Sequence, residues 1–165
     1  MMLSPRANRF LKGHIMKKFK KILFPIDFSE VSPEIVPYVI SMADKFNAEV
    51  HIIFVVRQLE NYRSIFVSHG AVENFEMEIV LGAETKMDEF VEEFFKSIVR
   101  PKTKILIGDI VEEIIKYIKA KGIDLVIIGT HGRKGMDRII LGSIADRVIK
   151  SAPVPVLSVN PYGAL

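Results

Sequence analysis

An α/β fold built on a doubly wound parallel sheet is what this sequence predicts, and three observations carry it. Short apolar runs rich in β-branched residues are continuous rather than alternating in polarity, the mark of strands buried on both faces. Stretches with apolar residues at helical spacing lie between them. A glycine-rich segment leaves one of the last runs and opens a helix. Strands alternating with amphipathic helices make βαβ units, and those make a parallel sheet.

The first run, 21–26, is ended by Asp27. A helix is expected after it, with Ser32 as cap, Pro33 in the first turn, and the stripe Ile35, Val36, Val39, Ile40 and Ala43. Pro37 lacks a backbone donor inside that stripe, so the helix should begin later or bend there. The second run is 50–56. Residues 57–82 fit a long loop, a lid or an extension of the next helix, whose stripe is Met87, Phe90, Val91, Phe94 and Ile98. The acidic residues Glu84, Asp88, Glu89, Glu92 and Glu93 read as that helix's solvated face. A shorter run, 104–108, leads into a helix that opens on Asp109 and Glu112 in capping-box spacing. It carries Val111, Ile114, Ile115 and Ile118, and stops at Gly122. The run 124–129 follows, then the glycine segment and a helix from Ser143 to the break at Pro153 with Ile144, Val148 and Ile149. The run 154–159 comes last.

A length of 165 residues suits one domain, and no internal repeat divides it. Hydrophobic residues at 49% and charged residues at 26% exclude global disorder. With no cysteine there is no disulfide framework and no thiolate zinc site, which fits a cytoplasmic protein. No apolar stretch reaches the roughly 18 residues of a membrane span. The net charge of +3 is unevenly spread: Arg6, Arg9, Lys12, Lys17, Lys18, Lys20 and Lys21 precede the first acid, Asp27, and the rest is net acidic. The basic balance is therefore poor evidence for nucleic-acid binding. No apolar run makes the start a signal peptide. Residues 1–15 are expected to be a disordered basic extension and 16–165 the folded domain.

The segment 129–143 carries the chemistry. Gly129, Gly132 and Gly142 stand in the pattern G-x-x-G, nine residues, G-S, with Ser143 opening a helix. Glycines there let backbone N–H groups approach a polyanion, and a helix amino terminus adds unpaired donors and a positive dipole end. Arg133, Lys134 and Arg138 add positive charge to the same loop. Such glycine and hydroxyl placement arises by chance at about 10⁻⁵ to 10⁻⁴ per start position.

With residues 144–159 after it, this segment resembles the nucleotide-binding universal stress proteins. The first strand, ending in Asp27, Phe28 and Ser29, is similar to that family's Asp-x-Ser, and Gly108 with Asp109 agrees at the third helix. The likeness spans about residues 17–160 and is weakest over 57–82. Phe28 departs from it, since many members have glycine there. The resemblance implies a single domain with five parallel strands in the order 3-2-1-4-5 and helices on both faces. It also implies ATP, with Mg²⁺ or Mn²⁺ on the phosphates, held where the first and fourth strands end. In that reading Asp27 contacts the adenosine, Pro25 and Val50 line the adenine and ribose pocket, and Ile128 and Gly129 flank the ribose. Gly132, Gly142, Ser143, Ile144 and Ala145 hold the phosphates, largely through backbone donors. A homodimer through the fifth strand is implied as well, with an unidentified protein reading the ATP-bound state.

Other readings stay open on the residues alone. No P-loop is present, so at most slow hydrolysis is expected. A nucleotidyl-transferase-like enzyme would want histidines near the first helix, and 27–37 has none. A phospho-acceptor domain would want paired acids after the first strand, where Phe28 and Ser29 stand. The same fold used without nucleotide, as a dimeric interaction module, is the remaining alternative. His131 suits hydrogen bonding better than catalysis, and His51, inside a strand, reads as structural.

Overall fold

The computed structural model describes residues 18–57, 69–96, 100–130 and 142–162. The expected basic extension, Gly132, His131 and Ile98 lie outside them. In chain order the elements are β1 (Lys21–Ile26), α1 (Ser32–Phe46), β2 (Glu49–Val56), α2 (His69–Phe94), β3 (Lys102–Ile107), α3 (Ile110–Lys121), β4 (Leu125–Gly129), α4 (Ser143–Ser151) and β5 (Val156–Val159). The strands form one parallel sheet in the order β3-β2-β1-β4-β5, so chain order reverses between β1 and β4.

Period-2 alternation along each central strand feeds two cores. Ile22, Phe24 and Ile26 join Val50 and Ile52 against α1 and α2, through Ile35, Val36, Val39, Met87, Phe90 and Val91. Leu23, Ile53, Val55, Val126 and Ile128 face the other way, against Val111, Ile114 and Ile118 of α3 and Ala145 and Val148 of α4. Both faces of β1 are thus covered, which is why its sequence is apolar without interruption. The edge strands are shorter of cover: Lys102, Thr103 and Lys104 of β3 and Leu157 and Ser158 of β5 are exposed.

Two helix expectations need correction. Helix α1 runs unbroken from Ser32 with Pro37 inside it. Pro37 sits on the exposed side, and the burial of Ile35, Val36, Val39 and Ala43 outweighs one missing donor. Its cap residue is Val31, with no side-chain capping bond; Ser32 is already helical, buried, and bonded elsewhere. In α2 the stretch 69–82 is helix. Its signal is obscured because Phe75, Met77 and Leu81 are exposed apolar residues off the buried stripe of Ala83, Met87, Phe90 and Val91. Helix α3 starts and stops as the sequence predicts, on Asp109, which accepts from the Val111 and Glu112 N–H groups, and on Gly122 at φ 63°.

Candidate functional site at the carboxyl ends of β1 and β4

Pro25 decides how the central strands part. Lys20 C=O accepts from Glu49 N–H on the β2 side, and Lys21 C=O accepts from Asp124 N–H on the β4 side. By alternation, residue 25 turns its backbone nitrogen toward β4, and proline has no hydrogen there. Pairing with β2 accordingly runs to Ile26↔Phe54, whereas pairing with β4 is confined to Ile22↔Leu125 and Leu23↔Val126. The two strands separate toward their carboxyl ends at the point where strand order reverses, the position at which open α/β sheets bind ligands.

On the β1 side the chain makes a tight turn. Asp27 Oδ1 accepts from Ser29 N–H at 3.0 Å and from Ser32 Oγ at 3.1 Å, and Ser29 C=O accepts from Ser32 N–H at 3.1 Å. Phe28, at the centre, has φ 55°, a left-handed conformation that is uncommon for so bulky a residue. Glycine would take it without strain. The Phe28 ring packs on Phe54 with centroids 4.6 Å apart. Ser29 Oγ is shielded from solvent and has no hydrogen-bond partner among the described residues.

On the β4 side, the Thr130 N–H donates to Val159 C=O of β5 at 2.8 Å, and the Thr130 C=O accepts from Gly142 N–H at 2.7 Å. The chain that leaves β4 is thereby drawn back to its start at the mouth of α4. A Cβ at Gly142 would lie 3.0 Å from that carbonyl oxygen. Its φ of −57° suits any residue, so space and not dihedral freedom is what calls for glycine. Gly142 is the cap residue of α4 and gives it no side-chain bond. The first bond along the helix runs from Asp146 N–H to Gly142 C=O, so the N–H groups of Ser143, Ile144 and Ala145 have no acceptor within the helix.

The structure therefore gathers Pro25, Asp27, Ile128, Gly129, Gly142, Ser143, Ile144 and Ala145 at one end of the sheet. Two expectations change. Val50 pairs with Ile22 at the amino end of β2, about 16 Å of extended chain from the residue level with Asp27, and does not join the cluster. Continuing the register past Ile26↔Phe54 puts Val55 at that level. Gly142 spends its N–H on Thr130, so it shapes the site rather than donating to a ligand. Ser29 was not singled out as a site residue by sequence reasoning. Its place in Asp-x-Ser was visible, but nothing in that pattern says the hydroxyl is left unpaired.

The shifted titratable groups lie elsewhere. His51, buried in β2, places Nδ1 2.9 Å from the Tyr117 hydroxyl and Nε2 2.6 Å from Glu49 Oε1, and Glu49 Oε2 is 2.8 Å from Lys102 Nζ. Burial holds the His51 pKa below its usual value and raises that of Tyr117; the bond from Lys102, then that from His51, lowers Glu49. Asp109 is lowered by the Glu112 N–H first and by Arg147 of α4, 3.2 Å away, after it. An open groove lined by Glu84, Met87, Asp88, Thr103, Lys104 and Ile105 sits at the β3 edge, two strands away from the site. Among the described residues no group of three His, Cys, Asp or Glu is placed to hold a metal, and no helix is long and apolar enough to cross a membrane.

Comparison with known proteins matches residues 18–160 to the universal stress protein family model. The chain is 39% identical over 148 residues to universal stress protein MJ0531 of Methanocaldococcus jannaschii, covering 86% of this chain and 82% of that protein. It is 33% identical over 154 residues to universal stress protein MJ0577 of the same organism, covering 86% and 95%. The solved structure of MJ0577 superposes with a TM-score of 0.77 over 90% of this chain and all of that one, at 28% identity. A universal stress protein from Archaeoglobus fulgidus, solved in complex with dAMP, shares the fold at a TM-score of 0.61 and 15% identity, over 86% and 98% of the two chains.

Proposed function

The chain belongs to the universal stress protein family, and from that membership we propose that it is a regulatory protein that holds ATP where β1 and β4 end. The observation that carries the reading is the uncapped amino terminus of α4 at the strand-order reversal. Its three N–H groups, on Ser143, Ile144 and Ala145, are donors without helical acceptors, and the dipole favours an anion there. Phosphate oxygens satisfy both. Gly142 brings the backbone in without a Cβ in the way, and Gly132, outside the described residues, belongs to the same loop motif. Ile128 and Gly129 flank the ribose, Asp27 offers its carboxylate to the nucleoside, and Pro25 keeps the strands apart.

Val55 takes the place in the adenine pocket expected of Val50, because only Val55 is level with Asp27. A divalent ion, Mg²⁺ or Mn²⁺, would be held through the phosphates, since the described residues gather no ligand cluster of their own. The sequence has no P-loop, so ATP is retained with at most slow hydrolysis, and function follows ligand state. The relative solved with dAMP supports an adenine nucleotide as the ligand class.

We further propose a cytoplasmic homodimer joined through β5. That edge carries Val156, Leu157 and Ser158 with no charge, whereas β3 at the opposite edge is guarded by Lys102 and Lys104. Denaturing extraction of freshly purified protein, with chromatography of the released nucleotide, tests the main claim, and light scattering on the same sample tests the dimer. Near-stoichiometric ATP is the expected result. ADP or AMP in its place would point to turnover. No nucleotide, with no binding on adding ATP and Mg²⁺, would leave a dimeric interaction module.

A further inference from the structure

We infer that Arg147 and Asp109 are positioning residues that set the angle of α4, so that its amino terminus faces a phosphate group squarely; this rests on the nucleotide reading above. Helix α4 is nine residues long and buries Ala145 and Val148. Its start is held by the bond from Gly142 N–H to Thr130 C=O, and its cap adds no side-chain bond. One anchor fixes where a short helix begins and constrains its direction less. Arg147 supplies a second anchor, through Nη2 to Asp109 Oδ1 at 3.2 Å. The acceptor is itself fixed, because the same oxygen takes the N–H groups of Val111 at 3.0 Å and Glu112 at 3.1 Å as the cap of α3. The short helix is thus fastened to the capped end of a longer one.

The tether acts on the turn that carries the donors. Both helices start at the carboxyl end of the sheet and pack on the same face of it. Asp109 spends the first donors of α3, whereas the N–H groups of Ser143, Ile144 and Ala145 have no acceptor within α4. Arg147 stands four residues after Ser143 on the same side of the helix, and helical side chains lean toward the amino terminus. Bonds from three N–H groups to one phosphate weaken as the helix axis turns away from it, and a displacement of about 1 Å is costly. Folding stability does not account for the pair: its side chains are 52% and 42% exposed, and ion pairs so placed add little. Charge alone does not account for it either. A carboxylate near the site repels phosphate, so attraction by itself would call for Arg147 without Asp109.

Calorimetric titration of the nucleotide-free protein with ATP and Mg²⁺, and separately with adenosine, tests this on wild type, Arg147→Gln, Asp109→Ser and the double variant. Serine keeps a cap for α3 while giving up the charge and the reach to Arg147. Each variant is expected to bind ATP about threefold more weakly than wild type. The double variant should lose no more than either single one, as for two groups that act through one contact. It also removes one charge of each sign, so its loss reports orientation and not field. Adenosine, with no phosphate, should bind to all of them alike. Tighter ATP binding by Asp109→Ser, which is what charge alone predicts, overturns the inference. So does a double variant equal to wild type, a double variant whose losses add, or an equal loss for adenosine, and each of these leaves nucleotide binding intact. A wild type that binds no ATP overturns the nucleotide reading itself, and the inference with it.

Discussion

The two ends of the sheet are built on opposite terms. At the amino end no buried side-chain polar atom among the described residues lacks a partner. The Asp124 carboxylate accepts from the N–H groups of Lys20 and Lys21, Lys21 Nζ reaches Lys121 C=O at 2.8 Å, and His51 uses both ring nitrogens. At the carboxyl end the same sheet carries a proline without a donor, a phenylalanine at φ 55°, a buried serine hydroxyl without a partner and a helix whose cap supplies no side chain. One end has its buried polar side chains paired; the other leaves groups unpaired or strained, as the proposed nucleotide site requires. Binding sites are drawn from such under-satisfied regions, since a donor already paired inside the protein has nothing left for a ligand.

The largest expected effect breaks the amino end. His51→Ala leaves the Tyr117 hydroxyl and Glu49 without their shared partner and opens a cavity in a residue position only 2% exposed. A loss of roughly 2–4 kcal/mol in denaturant unfolding is expected, with ATP affinity of the folded fraction unchanged. A fall in affinity as large as the fall in stability would mean the two ends are not separable.

The reverse signature belongs to Gly142→Ala. Its Cβ would press on the Thr130 carbonyl at 3.0 Å and shift the mouth of α4. Affinity for ATP should fall about tenfold or more while stability changes by about 1 kcal/mol. Calorimetry and unfolding on one preparation read both, and unaltered affinity would remove Gly142 from the site.

The smallest effect sharpens the comparison through pH. His51 is faced by Glu49 of its own strand, Lys102 of β3, Lys21 of β1 and Tyr117 of α3, and burial keeps its folded pKa below the ordinary 6.5. The unfolded chain therefore takes up the proton first. Stability that is full above pH 6.5 declines as pH falls from there toward the folded value, and then levels until the carboxylates enter. Glu49 and Asp109, both lowered, add losses only below their ordinary 4.5 and 3.8. His51→Gln should flatten the slope that sets in below pH 6.5 and leave the carboxylate limb in place; an unchanged slope would assign it to another group.

Much of this was legible in the chain. Continuous apolar runs located the strands to within two residues at each end, because burial on both faces leaves no room for polar alternation. Asp109 and Gly122 announced α3, because caps are local chemistry. The glycine and serine at 142 and 143 marked the start of α4 for the same reason: a helix start is set by neighbouring residues.

What only the tertiary structure decided is how distant segments meet. Nothing between residues 49 and 56 says which of them stands beside Asp27, and the register Ile26↔Phe54 is what exchanges Val50 for Val55. Ser32 looked like a cap until Asp27 took its hydroxyl. Gly142 looked like a donor until Thr130 took its N–H. Ser29 became conspicuous only once Asp27 was seen to take the Ser29 N–H and the Ser32 hydroxyl and leave the Ser29 hydroxyl aside. Local propensity and pattern are properties of a segment, and sequence alone determines them; hydrogen-bond accounting is a property of the assembled molecule, because a group's partner comes from wherever the fold brings one.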